Sequence, residues 1–135
     1  MGQSGVILLD THVLIWLISD FERLSAPAKR EIQKARKMGE GLAISSISML
    51  EVASLSRKNR IELGMSLEGF LQILEESFTV LPITSRACAR TVEFPADYPR
   101  DPADRIIGAT ALVDGLTLIT ADRNILASQA VRTVW

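Results

Sequence analysis

Four short acidic segments are spread along this chain: Asp10-Thr11-His12, Ser48-Met49-Leu50-Glu51, Asp101-Pro102-Ala103-Asp104-Arg105 and Thr120-Ala121-Asp122. Each falls where an apolar strand or helix signal begins or ends. Carboxylates brought from four separate elements to one place make a hard, all-oxygen site of the kind that magnesium and manganese prefer. With a phosphate substrate, such a site performs phosphodiester hydrolysis. In a two-ion arrangement the ions sit about 4 Å apart, one activating water and the other steadying the leaving oxygen. The carboxylates of interest are Asp10, Glu51, Asp104 and Asp122.

Each acid also has an ordinary explanation. Asp10, Asp101 and Asp122 precede helix signals and are good N-caps. Asp104 would complement a helix dipole, and Glu51 could be a solvated helix residue. What sets Glu51 and Asp104 apart is their apolar surroundings, Met49-Leu50 with Val52-Ala53, and Ile106-Ile107. Asp10 directly ends an apolar run. Carboxylates at such edges need a partner or a cation.

The elements that must position these acids alternate along the chain. Val6 to Leu9 is a continuous apolar run, as expected of a parallel strand covered on both faces. Helices are expected over Thr11 to Ile18, from the Ser25 cap with Pro27 to about Met38, from Ser48 to about Arg57, and after the Ser66 cap. In the last of these, Leu67, Phe70, Leu71 and Leu74 share one face. Further strands are expected at 42–45, 79–83, 116–120 and 131–135. Helices are expected at 84–93, 102–114 and 123–127, with a loop from Phe94 to Arg100. Strand–helix alternation implies a mainly parallel sheet with helices on both faces. In such sheets ligands gather at the carboxyl ends of the strands, where strand order reverses. If the first and fourth strands are neighbours, all four acids meet on one rim.

Composition narrows the chemistry. The chain has 135 residues, 47% of them hydrophobic, and reads as a single domain over 1–135 with a real core. One cysteine and one histidine exclude an internal disulfide and an ordinary Cys/His zinc site. No secretory signal opens the chain, and no apolar run is long enough to span a bilayer, so a cytoplasmic protein is expected. Net charge is −1, which is not the basic footprint of bulk nucleic-acid attraction. Contact with a phosphate backbone must then be local. Arg57, Lys58 and Arg60 after the Glu51 helix, and Arg100 and Arg105 around the third acidic segment, are the candidates. Cys88, Trp16 and Trp135 are expected in the core or, for the tryptophans, an interface. His12 is expected in packing or hydrogen bonding. Walker, Gly-X-Gly-X-X-Gly and Gly-X-Ser-X-Gly motifs do not occur in the sequence.

At these residues the chain resembles PIN-domain ribonucleases, and among them the VapC-type toxins of toxin–antitoxin pairs. LLDTHVLIWLI from Leu8, SSISMLEVASLSRKNRIEL from Ser45 and RDPADRIIGATALVDGLTLITAD from Arg100 carry the resemblance across nearly the whole chain. Where many relatives have Phe, this chain has Ala103. The resemblance implies a three-layer α/β/α sandwich with parallel strand order 3-2-1-4-5. It implies a Mg- or Mn-dependent endoribonuclease with one or two ions on Asp10, Glu51, Asp104 and Asp122. It further implies an RNA substrate, a homodimer and a small VapB-type antitoxin. Two other functions compete. A phosphoacceptor receiver domain would need an aspartate ending the third strand and a late lysine. That strand ends Pro82-Ile83-Thr84, and no lysine follows Lys58. A catalytically silent PIN-like domain, binding RNA or protein only, would not need all four acids.

Overall fold

The computed structural model describes residues 6–39 and 41–135. Its sheet has five parallel strands, β1 (Ile7–Leu9), β2 (Leu42–Ser45), β3 (Thr79–Leu81), β4 (Thr117–Ile119) and β5 (Thr133–Val134), in the order β3-β2-β1-β4-β5. The order 3-2-1-4-5 is the one expected from the resemblance. Helices α1 (Thr11–Ser19), α2 (Ala26–Lys37), α3 (Ser46–Arg57), α4 (Leu67–Ser77), α5 (Ser85–Thr91), α6 (Pro102–Asp114) and α7 (Arg123–Ser128) connect the strands.

Alternation of side chains along the strands divides the core in two. Ile7, Leu9, Leu42, Ile44 and Ile119 face one layer, with Val13 and Leu14 of α1, Ala28 and Ile32 of α2, Val52 of α3 and Leu74 of α4. Leu8, Ala43 and Leu118 face the other, with Ile107 and Ala111 of α6 and Ile125 of α7. These are the three layers of the sandwich. Among the described residues no helix is long and apolar enough to cross a membrane.

Hydroxyl and carboxylate caps start the helices. Ser25, Ser45, Ser66, Thr84, Asp101 and Asp122 each accept a hydrogen bond from a first-turn N–H. α3 therefore begins at Ser46, two residues before the expected Ser48, because Ser45 takes the cap. α6 ends at Gly115, whose φ of 67° is the left-handed turn that glycine adopts without strain. The outer strands are shorter than expected, β3 stopping at Leu81 before Pro82 and β5 holding only Thr133–Val134.

One expectation about packing needs correction. Cys88 is exposed, because the short α5 buries Ala87 instead. Trp16 is only half-buried; it packs at the margin of the α1–α2 core, 5.7 Å from the Trp135 ring.

One close contact yields a stability prediction. A Cβ on buried Gly108 would lie 2.1 Å from the Tyr98 hydroxyl oxygen and 3.1 Å from Phe94. Tyr98 is itself buried, stacked on Phe94 and hydrogen-bonded to the Asp104 carbonyl, so moving it costs those contacts. We expect Gly108→Ala to lower stability by about 2–3 kcal/mol, measured by urea unfolding. A loss below about 0.5 kcal/mol would show that the Tyr98 loop yields freely.

Candidate active site at the carboxyl rim of the sheet

The reversal of strand order lies between β1 and β4, and two acids follow these strands directly. Leu9 is in register with Ile119, so Asp10 and Thr120 leave the sheet side by side. The Asp10 N–H donates to the Ile119 carbonyl at 3.0 Å. Asp10 Oδ1 accepts from the Thr11 N–H at 2.8 Å, and Oδ2 accepts from the Thr120 hydroxyl at 2.7 Å. Asp10 is thus a cap, as its position suggests, and a buried carboxylate aimed at the rim. Asp122 caps α7 through Oδ1, which accepts from Asn124 and Ile125.

Glu51 arrives from α3, the helix that follows β2. The Thr11 hydroxyl donates to its carboxylate. That spends Thr11's one proton, so the Ser48 hydroxyl, 2.8 Å away, donates to Thr11. A chain of hydroxyls therefore ties Glu51 to the residue after Asp10.

Asp104 arrives from the first turn of α6, which leads into β4. Asp101 caps that helix, accepting from Ala103 and Asp104. The loop before it is held to α6 by two side chains. Tyr98 stacks on Phe94 with centroids 4.0 Å apart and donates its hydroxyl to the Asp104 carbonyl at 3.1 Å. Arg105 donates to the carbonyls of Pro99 and Thr91, both at 2.8 Å, and of Tyr98 at 3.4 Å. The expectation that Arg105 reaches an RNA backbone does not fit this geometry: its guanidinium is committed to the carbonyls of Thr91 and of the loop that leads into α6.

Asp10, Glu51, Asp104 and Asp122 line one hollow of about 330 Å³, together with Asp101, Thr11, His12 and Trp16. Electrostatics reflect the crowding. Burial, followed by the charges of Asp10, Asp101, Asp122 and Glu51, pushes the Asp104 carboxyl up to about 7. Burial also raises Asp10 and Glu51, against the lowering effect of their hydrogen bonds from Thr120 and Thr11 respectively. Burial, with the Asp104 charge next, raises the Tyr98 phenol. Among the described residues no three of these acids stand close enough to grip one ion between them as placed. The donor set is nevertheless all hard oxygen and crowded with negative charge, and this fits Mg²⁺ or Mn²⁺.

Sequence reasoning missed part of this site. His12 is exposed and lines the hollow, where packing or hydrogen bonding had been expected. Thr11 donates its hydroxyl proton to Glu51 and Thr120 to Asp10, while Ser48 donates to Thr11. The available signal was a hydroxyl residue near three of the four acids: one after Asp10, three before Glu51 and two before Asp122. Arg57, Lys58, Arg60 and Arg100 are all exposed.

The PIN-domain family profile matches residues 7–130. The chain belongs to the PIN-domain family. It is 38% identical over 131 residues to Ribonuclease VapC22 of Mycobacterium tuberculosis, covering 96% of this chain and 98% of that relative. Among solved structures it resembles a toxin–antitoxin complex from Klebsiella pneumoniae, with TM-score 0.67, 26% identity and 96% of each chain covered. VapBC2 from Rickettsia felis, solved with a promoter DNA fragment, shares the fold at TM-score 0.68 and 15% identity, over 96% of this chain and 97% of that one. For this PIN domain the crevice between β1 and β4 is the ligand-binding edge expected of an open parallel sheet.

Proposed function

We propose that this PIN domain is the endoribonuclease toxin of a toxin–antitoxin pair, hydrolysing RNA phosphodiester bonds with the help of a divalent cation. The observation that carries the reading is the convergence of Asp10, Glu51, Asp104 and Asp122 on one rim hollow. The 38% identity to a named ribonuclease supports the substrate class. Asp10, Glu51, Asp104 and Asp122 would hold one or two Mg²⁺ or Mn²⁺ ions. Such ions polarise the phosphate and lower the pKa of bound water.

The chain's own residues have distinct tasks. Thr120 and the Thr11 N–H fix the Asp10 carboxylate. Thr11 and Ser48 fix Glu51. Tyr98 and Arg105 hold the turn that presents Asp104. Exposed Arg57, Lys58, Arg60 and Arg100 offer cations to the RNA backbone. Single-stranded or loop RNA suits an open hollow of this size. A silent binding domain is the weaker reading, because it has no use for a crowded set of acids. The test is cleavage of total RNA by purified protein, with Mg²⁺ or Mn²⁺ and with EDTA. Metal-dependent cuts at defined sites are expected; intact RNA under all conditions would overturn the reading.

The partner is a VapB-type antitoxin, as the toxin–antitoxin neighbours suggest, and the compartment is the cytoplasm. A homodimer is also proposed, through the face shared by α3 and α4. α2 covers its apolar side with the sheet, whereas Leu50 of α3 is 65% exposed and borders an apolar groove with Met49, Ala53 and Leu71. An isologous contact there would bury it. We expect twice the monomer mass by light scattering at micromolar concentration, and a monomer for Leu50→Glu. A monomeric wild type would overturn the dimer.

A further inference from the structure

A second hollow, of about 440 Å³, opens beside the acidic one, and His12 and Trp16 line both. Ser19, Asp20, Arg23, Arg60 and Glu62 complete its polar lining. The Arg23 guanidinium carbon lies 4.6 Å from the Trp16 ring centroid. The His12 ring is 6.1 Å from Trp16, and Trp135 braces the indole at 5.7 Å. Among the described residues neither Arg23 nor Arg60 forms an ion pair, although both face carboxylates across the hollow.

We propose that this hollow is a nucleotide subsite, which takes a base of single-stranded RNA next to the bond being cut. The inference rests on the ribonuclease reading. An indole, an imidazole and a guanidinium are the flat groups on which unstacked RNA bases are received. The volume lies within the usual range for a small-ligand site. The base stacks against the Trp16–Arg23 pair, and Arg60 meets the adjoining phosphate. Asp20 and Glu62 offer acceptors to exocyclic amino groups, which every base except uracil carries. Charge supports the same placement. The catalytic hollow repels a polyanion, and the chain as a whole is acidic. One hollow away, Arg23 and Arg60 form no ion pair with Asp20 or Glu62, so their guanidiniums supply the local attraction that RNA needs, Arg60 to the phosphate and Arg23 from its place on the Trp16 ring.

The test uses a fluorescently labelled six-nucleotide single-stranded RNA of mixed sequence, bound in Mg²⁺ buffer by protein carrying Asp10→Asn so that the RNA stays whole. We expect Trp16→Leu to weaken binding about tenfold, and Arg23→Ala and Arg60→Ala about threefold each with a shallower salt dependence. Trp135→Phe leaves Trp16 as the only indole, and its emission should be quenched as RNA binds. Trp16 touches the core, so the two exposed arginines and the quenching experiment stand independently of Trp16→Leu. Unchanged affinity in both arginine variants, or an unquenched Trp16, would overturn the subsite. Either result would also be expected if an antitoxin segment fills the hollow instead. A wild type that cleaves RNA while these variants bind normally refutes the subsite alone. A wild type that cleaves nothing refutes the ribonuclease reading beneath it.

Discussion

Asp10→Asn is expected to reduce RNA cleavage by about a thousandfold, equivalent to ~4 kcal/mol of transition-state stabilisation, while leaving the fold intact. The hydrogen bonds around Asp10 explain why the two effects separate. Asp10 Oδ1 accepts from the Thr11 N–H, and Oδ2 from the Thr120 hydroxyl. An asparagine keeps the first bond through its carbonyl oxygen. Its amide then donates to Thr120, whose hydroxyl has two lone pairs and accepts the Asp122 N–H with the other. Shape and most of the bonding survive, the Thr120 proton alone losing its acceptor; the negative charge does not survive. A buried neutral amide also escapes the desolvation penalty that raises the Asp10 carboxyl. The variant should therefore melt at or above the wild-type midpoint. Cleavage within tenfold of wild type by a folded Asp10→Asn protein would remove Asp10 from the catalytic set.

The same residues explain how much of this site could be read before the fold was known. The apolar runs ending in Asp10 and leading to Asp122 marked two strand ends, and parallel alternation placed strand ends on one rim. Strands β1, β2 and β4 were legible because both faces are buried and every residue is apolar or small. Strands β3 and β5 were legible in place but not in extent, since their half-exposed ends carry little pattern. Cap residues were legible because a hydroxyl or carboxylate before an apolar helix has one dominant use. What a single sequence could not reveal was the pairing of distant groups. The Thr120–Asp10 bond joins residues 110 apart, and it exists only because β1 and β4 are neighbours in register. Arg105 looked like a free cation for the same reason. The loop that consumes its donors closes back on α6 only in three dimensions.

Crowded acids also predict an inverted stability response. In metal-free buffer the Asp104 carboxyl stands at about 7 in the folded protein, against 3.8 for an ordinary aspartate. The folded state therefore holds a proton that the unfolded state has already released between about pH 4 and pH 7. Stability must then fall as pH rises through that window and level off above it. The raised carboxyls of Asp10 and Glu51 act in the same direction. Asp104→Asn removes both the cost of burying that carboxylate, which is the larger cause, and its repulsion by the neighbouring acids. Asp104 is only half-buried, so solvent screening reduces its worth to about 1–2 kcal/mol, or a rise of about 5 °C in the midpoint at pH 8. At pH 4 the two proteins should melt together. Excess Mn²⁺ reverses the ranking, because an ion bound only by the native state stabilises by mass action. Wild type should gain several degrees, and Asp104→Asn, short of one hard ligand, should gain little. Four melting curves decide the matter: each protein at pH 8, with EDTA and with Mn²⁺. If wild type gains nothing from Mn²⁺, or Asp104→Asn gains as much as wild type, the four acids do not share a cation. If Asp104→Asn melts below wild type in EDTA at pH 8, Asp104 stabilises the fold by contacts that outweigh the repulsion of its neighbours.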